Sequence, residues 1–135
     1  MTEKIKSYNG CTTVMFTASH NGNFKNKCSD NKKHNHKWKV VVFIESDKLN
    51  KEFVVKDFNE IENLKTIFHK KYLNELKVFK DKIPTTEVIG DWFVDNINEC
   101  YQVIVYEGKS MFWKFWDKRN RYVICYGKNK RNKYE

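Results

Sequence analysis

The residues of this chain whose spacing could support chemistry are its histidines. His34 and His36 flank one residue at the start of an apolar run, and His20 ends an earlier apolar run. Because a strand sends residues i and i+2 to the same face, His34 and His36 are expected to point the same way, and a neighbouring strand could supply His20. Three neutral imidazoles with an open fourth position are typical of a catalytic zinc site. The pattern therefore predicts that His20, His34 and His36 bind zinc.

Other polar groups near these histidines have weaker patterns. Cys28 lies in the polar loop before the histidine pair, where its thiol could be a fourth ligand or a separate acid/base group. His69 comes late in an amphipathic segment, which is also a common place for a surface histidine. Glu107 ends an apolar strand, so it is either an edge residue facing water or a buried anion that binds a ligand. A histidine pair beside lysines also occurs in exposed loops, and the residues alone leave both readings open.

The order of apolar patterns predicts one domain, residues 1–135, with the element order β-β-α-α-β-β. Strands are predicted at about residues 12–20, 35–45, 101–107 and 111–116, with a further hairpin carrying residues 122–126 and a short extended piece at 52–55. This order favours an α+β fold: an antiparallel four-stranded sheet with two helices on one face.

Both helices are expected between the second and third strands. Asp57, with Glu60 three residues later, is a capping-box-like start, and apolar residues at helical spacing continue the first helix to Tyr72. Pro84 opens the second helix, which ends near Cys100. Each helix thus has an apolar face that can cover the sheet.

The second strand is apolar on both faces, since Val40 and Val42 alternate with Val41 and Phe43. Helices on one side can cover only one face of the sheet. Assembly with further copies is the expected cover for the other face. The sequence therefore predicts a homo-oligomer.

The charge balance is basic, with 26 Lys and Arg against 17 Asp and Glu and a formal net charge of +9. A basic excess suits nucleic acid, an anionic membrane or a phosphorylated metabolite. Lysine and asparagine are spread along the chain, and the one basic cluster is a C-terminal tail at about residues 128–135. We therefore expect no nucleic-acid partner, and we interpret the tail as a solvated end.

The N-terminal residues contain no apolar signal core, and no run approaches the ~20 apolar residues of a membrane span. These patterns predict a soluble, cytoplasmic protein without a membrane partner. The four cysteines form no close pair and are expected to be free thiols in that reducing compartment.

Five short motifs follow one another between residues 16 and 107. They are residues 16–20 together with Cys28 and residues 34–36, then residues 55–58, 68–74, 84–87 and 103–107. In this order they resemble the 6-pyruvoyl-tetrahydropterin synthase / 6-carboxy-tetrahydropterin synthase family.

The resemblance implies the tunnelling fold, in which ββααββ subunits form a ring, usually a hexamer of two stacked trimers with sites between subunits. It implies zinc as the metal at the three histidines. It also implies roles for further residues: proton transfer by Cys28, His69 and Glu107, and pterin binding by Thr85, Thr86, Glu87 and Glu107.

The activity that the resemblance implies is that of a carbon–oxygen lyase acting on 7,8-dihydroneopterin triphosphate. Zinc would polarise the hydroxyl and keto oxygens of the substrate side chain. A microbial-looking composition favours the 6-carboxy branch, which leads to queuosine. The five-residue gap between Cys28 and His34 is closer to the 6-pyruvoyl branch, which leads to biopterin.

Two positions depart from the family pattern. Phe68 stands where the family has the aspartate that orients the catalytic histidine, and Asn35 stands where it has glycine. Phe68 favours an alternative, a non-catalytic pterin- or nucleotide-binding relative that retains the ring and the metal. A third alternative is a basic nucleic-acid-binding domain that uses exposed aromatic residues. The retained Cys28, His69 and Glu107 favour the enzyme.

Overall fold

The computed structural model describes residues 4, 6–25, 29–109 and 121–127 of the chain. Its centre is a four-stranded antiparallel sheet in which each strand pairs with the next along the chain. The strands are β1 (Tyr8–His20), β2 (His34–Ser46), β3 (Cys100–Lys109) and β4 (Tyr122–Tyr126). The predicted α+β fold is confirmed. The strand predicted at residues 111–116 lies outside the described residues.

One face of the sheet carries the core. From Trp38 to Ile44 every second side chain of β2 is buried, as the period of a strand requires, while Val41 and Phe43 between them are only half-buried. The buried apolar residues of the three longer strands are Val14, Phe16, Ala18, Trp38, Val40, Val42, Ile44, Cys100, Val103 and Val105. The opposite face is more open to solvent in the single chain, and it is the face that the sequence predicts to be covered by further copies.

Helices cover the buried face. The helix α3 (Thr86–Asn96) packs against β3 and β4, while α1 (Phe58–Glu62) and α2 (Lys65–Phe68) pack against β1. Asp57 caps α1 by accepting the Asn59 N–H, and Thr85 caps α3 by accepting the Val88 N–H. None of the described helices has the length and apolarity needed to cross a membrane.

The first predicted helix is shorter than its apolar spacing indicated. It is divided into α1 and α2 and ends at Phe68, not at Tyr72. Lys70 has a φ of 59° and donates its N–H to Thr17 O at 2.6 Å, and Ser19 donates to Lys71 O at 3.0 Å. Residues 69–72 therefore leave the helix to bond the outer edge of β1, and these long-range hydrogen bonds override the local periodicity.

The prediction of an extended segment at residues 52–55 is wrong, because the structure has a turn there. The side chain of Asn50 accepts the N–H groups of Glu52 and Val54 at 2.9 and 3.2 Å, which closes a turn. Phe53 sits in this turn with a φ of 67° and a side chain that is 82% exposed. Local hydrogen bonding by asparagine prevents a strand here.

Candidate metal and ligand site

The pairing of β1 with β2 brings three histidines together. His20 is the register partner of His34, and Ala18 is the partner of His36. Because His34 and His36 are two residues apart on one strand, all three rings lie on the core face at the end of the sheet. Potential ligand atoms of the three rings all lie within 4.8 Å of one another. The predicted grouping of His20, His34 and His36 is thus present in the structure.

Each of these rings is oriented by the main chain. The Nδ1 atoms of His20, His34 and His36 contact the carbonyl oxygens of Pro84, Lys32 and Gly108 at 2.7, 2.6 and 2.9 Å, respectively. A carbonyl oxygen only accepts, so each Nδ1 carries the proton and each Nε2 keeps its lone pair. All three Nε2 atoms are buried without a hydrogen-bond partner. Unpartnered buried nitrogens are unfavourable unless something binds them.

This donor set fits zinc. Three neutral imidazoles that donate their other N–H to carbonyl oxygens are the usual ligands of a catalytic zinc ion. Burial lowers the pKa of His20, an effect that the Pro84 carbonyl opposes and that the neighbouring His36 and His34 reinforce. The rings of His20 and His36 meet the ring of the fully buried Trp38 edge-on, with centroids 4.9 and 5.3 Å apart. The buried Trp38 ring therefore gives the histidine cluster an apolar surface on its core side.

Glu107 lies beside the histidines on β3. Its Oε1 is 3.0 Å from His36 Nε2, close enough for an ion pair when His36 is protonated but not aligned as a hydrogen bond. Its Oε2 accepts the Thr86 hydroxyl at 2.9 Å. Burial raises the pKa of Glu107, but the His36 ring in its protonated form and the Thr86 hydroxyl outweigh it and hold the pKa at about 2. Glu107 is thus a largely buried anion, with its side chain 12% exposed, which is closer to the second of the two possibilities that the sequence left open.

A pocket of about 170 Å³ opens beside the histidines. Its described lining comes from the loop after β1, the start of α3, and the paired ends of β3 and β4. The lining residues are His20, Gly22, Phe24, Asp30, His34, Ile83, Thr85, Thr86, Glu87, Glu107 and Arg121. The pocket thus brings the predicted pterin-binding residues Thr85, Thr86, Glu87 and Glu107 next to two of the predicted zinc ligands.

Tyr72 and Asn74, two residues of the motif at 68–74, hold the end of β1 by hydrogen bonds. Asn74 accepts the Asn21 N–H at 2.9 Å and donates its amide to Asn21 O at 3.0 Å. The Tyr72 hydroxyl donates to the Asn21 side chain. Asn21 directly follows His20, so these hydrogen bonds fix the position at which β1 ends and, with it, the position of His20.

The remaining predicted site residues are not part of this cluster within one chain. His69 is exposed at the outer edge of β1, where its Nδ1 accepts the Thr17 N–H at 3.2 Å. Thr17 precedes His20 by three residues, which is about 10 Å along a strand. Cys28 lies outside the described residues, so its predicted role has no structural description.

Phe68 is a core residue. It is fully buried and its ring contacts those of Phe16, Phe79, Trp92 and Phe93 at centroid distances of 4.9 to 5.8 Å. The site where the family pattern has an aspartate is therefore an aromatic cluster in this chain. The phenylalanine rings that surround Phe68 would offer an acidic side chain at this position no hydrogen-bond donor from their faces and edges.

Sequence reasoning did not identify Phe24 or Arg121 as lining residues. Phe24 is fixed by Asn31, whose side chain accepts the Phe24 N–H at 2.7 Å and donates to Phe24 O at 2.9 Å. Arg121 O accepts the Glu107 N–H at 3.0 Å, so β3–β4 pairing places Arg121 beside the pocket. Only the register of that hairpin reveals Arg121, and no local motif marks it.

Comparisons with known proteins agree on the fold and the family. Caenorhabditis elegans 6-pyruvoyl tetrahydropterin synthase is similar in structure with a TM-score of 0.67 and 15% identity, over 93% of this chain and 99% of that chain. An uncharacterized protein from Wolinella succinogenes gives a TM-score of 0.61 and 15% identity, over 90% and 98%. No curated protein matches the sequence. These likenesses show the predicted tunnelling fold. The family model described as 6-pyruvoyl tetrahydropterin synthase matches residues 11–125, and the chain belongs to that family, which supports a tetrahydropterin synthase-like function.

Proposed function

We propose that this chain is a zinc-dependent tetrahydropterin synthase that acts on 7,8-dihydroneopterin triphosphate. The observation that carries the proposal is the set of three buried Nε2 atoms without hydrogen bonds, beside the pocket that contains Thr86 and Glu107. Family membership supports a pterin as the substrate class and lyase-type chemistry as the reaction class.

Glu107 is the proposed anchor of the pterin ring. Its low pKa keeps it ionised at neutral pH, so it can accept two N–H groups from the guanidine-like edge of a pterin. The Thr86 hydroxyl holds one carboxylate oxygen from the side of α3. Thr85 and Glu87 line the same pocket and are proposed to complete the binding surface.

His20, His34 and His36 would hold the zinc ion, which supplies Lewis acidity toward the oxygens of the substrate side chain. We propose that Cys28 and His69 move protons in this reaction. His69 accepts at Nδ1, so its neutral ring carries the proton on Nε2. Because His69 lies away from the cluster of its own chain, we propose that it serves the site of a neighbouring subunit.

A ring, and most simply a hexamer, is the assembly that we propose. Family membership supports oligomeric assembly. The sheet face opposite the helices exposes Met15, Tyr122, Ile124 and Tyr126, by 38 to 60% of their surface. An apolar face of this kind is usually covered by another chain.

The product can be 6-carboxy- or 6-pyruvoyl-tetrahydropterin, and the proposal covers both. We keep the 6-carboxy product, a queuosine precursor, as the first expectation from composition. The two products differ in mass, so one assay separates them.

A second candidate is a pterin- or nucleotide-binding relative without catalysis. Two observations favour it: Phe68 is buried in the core where the family has an aspartate, and His69 is exposed at a strand edge. In that case the pocket and the metal would remain while turnover would not.

The deciding experiment is to incubate the zinc-loaded protein with 7,8-dihydroneopterin triphosphate and identify the products by mass spectrometry. A Cys28→Ala variant should keep its zinc and lose turnover by roughly 10²–10⁴, the usual scale for a positioned acid/base group. Pterin binding without any turnover by the unmodified protein would establish the non-catalytic candidate instead.

A further inference from the structure

Phe24 places an exposed aromatic ring in a pocket whose other lining is mostly polar. It is 52% exposed and lines the pocket together with Thr85, Thr86 and Glu107. Ile83, which is 37% exposed, is the other exposed apolar side chain among the described lining residues. Small-molecule sites combine apolar and aromatic side chains with a few polar groups in this way. The pocket therefore offers an apolar surface that a ligand can cover.

The loop that carries Phe24 is held by hydrogen bonds with residues 30 and 31. Gly22 donates its N–H to Asp30 O at 2.8 Å. The Asn31 side chain accepts the Phe24 N–H at 2.7 Å and donates to Phe24 O at 2.9 Å. A residue that is already held in place loses less conformational entropy when a ligand binds. The main chain of Phe24 is thus fixed at the pocket before a ligand arrives.

Gly22 leaves the space that the Phe24 ring occupies. A Cβ at position 22 would lie 2.3 Å from Cε2 and 2.8 Å from Cδ2 of that ring. Both distances are well below the roughly 3.5–4.0 Å at which non-bonded carbon atoms pack. Gly22 does not have a positive φ, so its backbone conformation is open to other residues. The missing side chain at position 22 therefore serves the position of the ring.

An aromatic side chain and a carboxylate contact different parts of a flat heterocycle. The Glu107 carboxylate would accept N–H groups at the edge of the ligand ring, within the ring plane. An aromatic side chain contacts the face of such a ring. Phe24 and Glu107 therefore do not compete for the same ligand atoms, and together they suit a flat bicyclic ring with an N–H edge.

We propose that Phe24 is a specificity-determining residue that stacks on the face of the pterin ring and selects flat pterin rings over tetrahydropterins. A tetrahydropterin keeps the N–H edge, but its reduced ring is puckered and covers an aromatic face less completely. This inference rests on the proposed function. It adds that the site holds the flat ring of its substrate more tightly than the puckered ring of its product, which favours product release.

The test compares two ligands in equilibrium titrations of purified protein at equal, measured metal content. Neopterin, which is fully oxidised and flat, is followed by its fluorescence, and tetrahydroneopterin, kept reduced, is the competitor. Phe24→Ala should weaken neopterin binding about 5- to 150-fold, the scale for a base stacked on an aromatic side chain. The loss for tetrahydroneopterin should be smaller, so the preference between the two ligands should narrow.

Three further variants separate stacking from apolar cover. Phe24→Tyr keeps a ring and should retain the preference for neopterin, whereas Phe24→Leu stays apolar and should lose most of it. Gly22→Ala keeps the phenylalanine but displaces its ring, so it should also weaken neopterin binding. Because Phe24 is half-exposed, the variants at position 24 should unfold at the same urea concentration as the unmodified protein.

The matched control is Phe53→Ala, which removes an 82% exposed phenylalanine from the turn at residues 50–54, outside the pocket. It should leave both affinities unchanged. Equal loss of both ligands in Phe24→Ala, or a full preference in Phe24→Leu, would overturn the inference, since neither requires stacking. An unmodified protein that binds the two ligands equally also overturns it but leaves the proposed function standing. An unmodified protein that binds neither ligand overturns the proposed function as well.

Discussion

The imidazoles of His20, His34 and His36 share a hydrogen-bonding pattern that leaves each ring one coordinating atom. All three Nδ1 atoms contact carbonyl oxygens, and all three Nε2 atoms are buried without a hydrogen bond, although Glu107 Oε1 lies 3.0 Å from that of His36. The cost of leaving three such nitrogens unsatisfied is of the order of 1–3 kcal/mol each, which a bound metal would remove. Metal binding should therefore also stabilise the fold.

His34→Ala and His36→Ala should each reduce zinc affinity by more than about 100-fold, since even loss of an outer-shell partner costs about 10- to 100-fold. His69→Ala is the matched control and should keep stoichiometric zinc, because His69 lies at the outer edge of β1. Metal analysis after dialysis gives the stoichiometry. Full zinc in both strand variants would show that the cluster is not the metal site.

Phe68→Asp should destabilise the protein by more than about 4 kcal/mol or prevent folding. Loss of a buried phenylalanine alone costs about 3–5 kcal/mol, and an unpaired carboxylate would be buried in its place. Phe68→Leu, the control, should cost less because it stays apolar. Urea unfolding measures both. A stable Phe68→Asp protein with faster turnover would instead show that a missing aspartate limits His69.

At the scale of elements, α3 lies unusually close to the sheet at Gly90. A Cβ at this position would lie 2.3 Å from Cys125 Sγ and 3.2 Å from Val105 Cγ2. Glycine inside a helix normally costs about 1 kcal/mol relative to alanine. Close packing of α3 on β3 and β4 therefore takes precedence over helix propensity at this site.

Gly90→Ala should destabilise the protein by about 1–3 kcal/mol, as overpacking does, in place of the gain expected in an open helix. Cys125→Ala removes the sulfur that the new methyl group would meet. In a protein that already carries Cys125→Ala, the Gly90→Ala substitution should therefore reduce the free energy of unfolding by much less than it does in the unmodified protein. Thermal or urea unfolding of the four proteins measures this difference as a coupling energy. A Gly90→Ala protein more stable than the parent would contradict the close approach.

Local patterns located β1, β2, β3 and the helix starts, but they also predicted an extended piece at residues 52–55 where the structure has a turn. The alternation of apolar residues along β2 and the cap at Asp57 are short-range features, and the structure confirms them. The end of the first helix was missed because it depends on hydrogen bonds between residues 69–72 and β1, far away in sequence. The place of Arg121 depends on the β3–β4 register in the same way. Local periodicity contains no information about such partners.

At the scale of the whole molecule, one sheet face is packed and the other is open. Helices cover the first face, and the second carries Ile124 and Tyr126 with half-buried Val41 and Phe43 nearby in the sheet. The single-domain organisation, the basic tail at about 128–135 and the cytoplasmic location stay predictions. The tail lies outside the described residues.

The unmodified protein should be an oligomer in light scattering at micromolar concentration, with a hexamer as the expected state. Ile124→Lys should shift it toward smaller species, because the charge would lie on the open sheet face. Phe53→Lys is the control, since it places the same charge in an exposed turn. A monomeric unmodified protein would remove the shared site proposed for His69.

The carbonyl groups that orient the three imidazoles also bear on how this family diverges. Lys32 and Pro84 contribute only their main-chain oxygen atoms to His34 and His20. Any amino acid at these two positions would keep that acceptor, provided that the backbone course is conserved. Point substitution there is therefore nearly neutral for ring orientation. Substitutions can therefore accumulate at positions 32 and 84 without altering the orientation of the His34 and His20 rings.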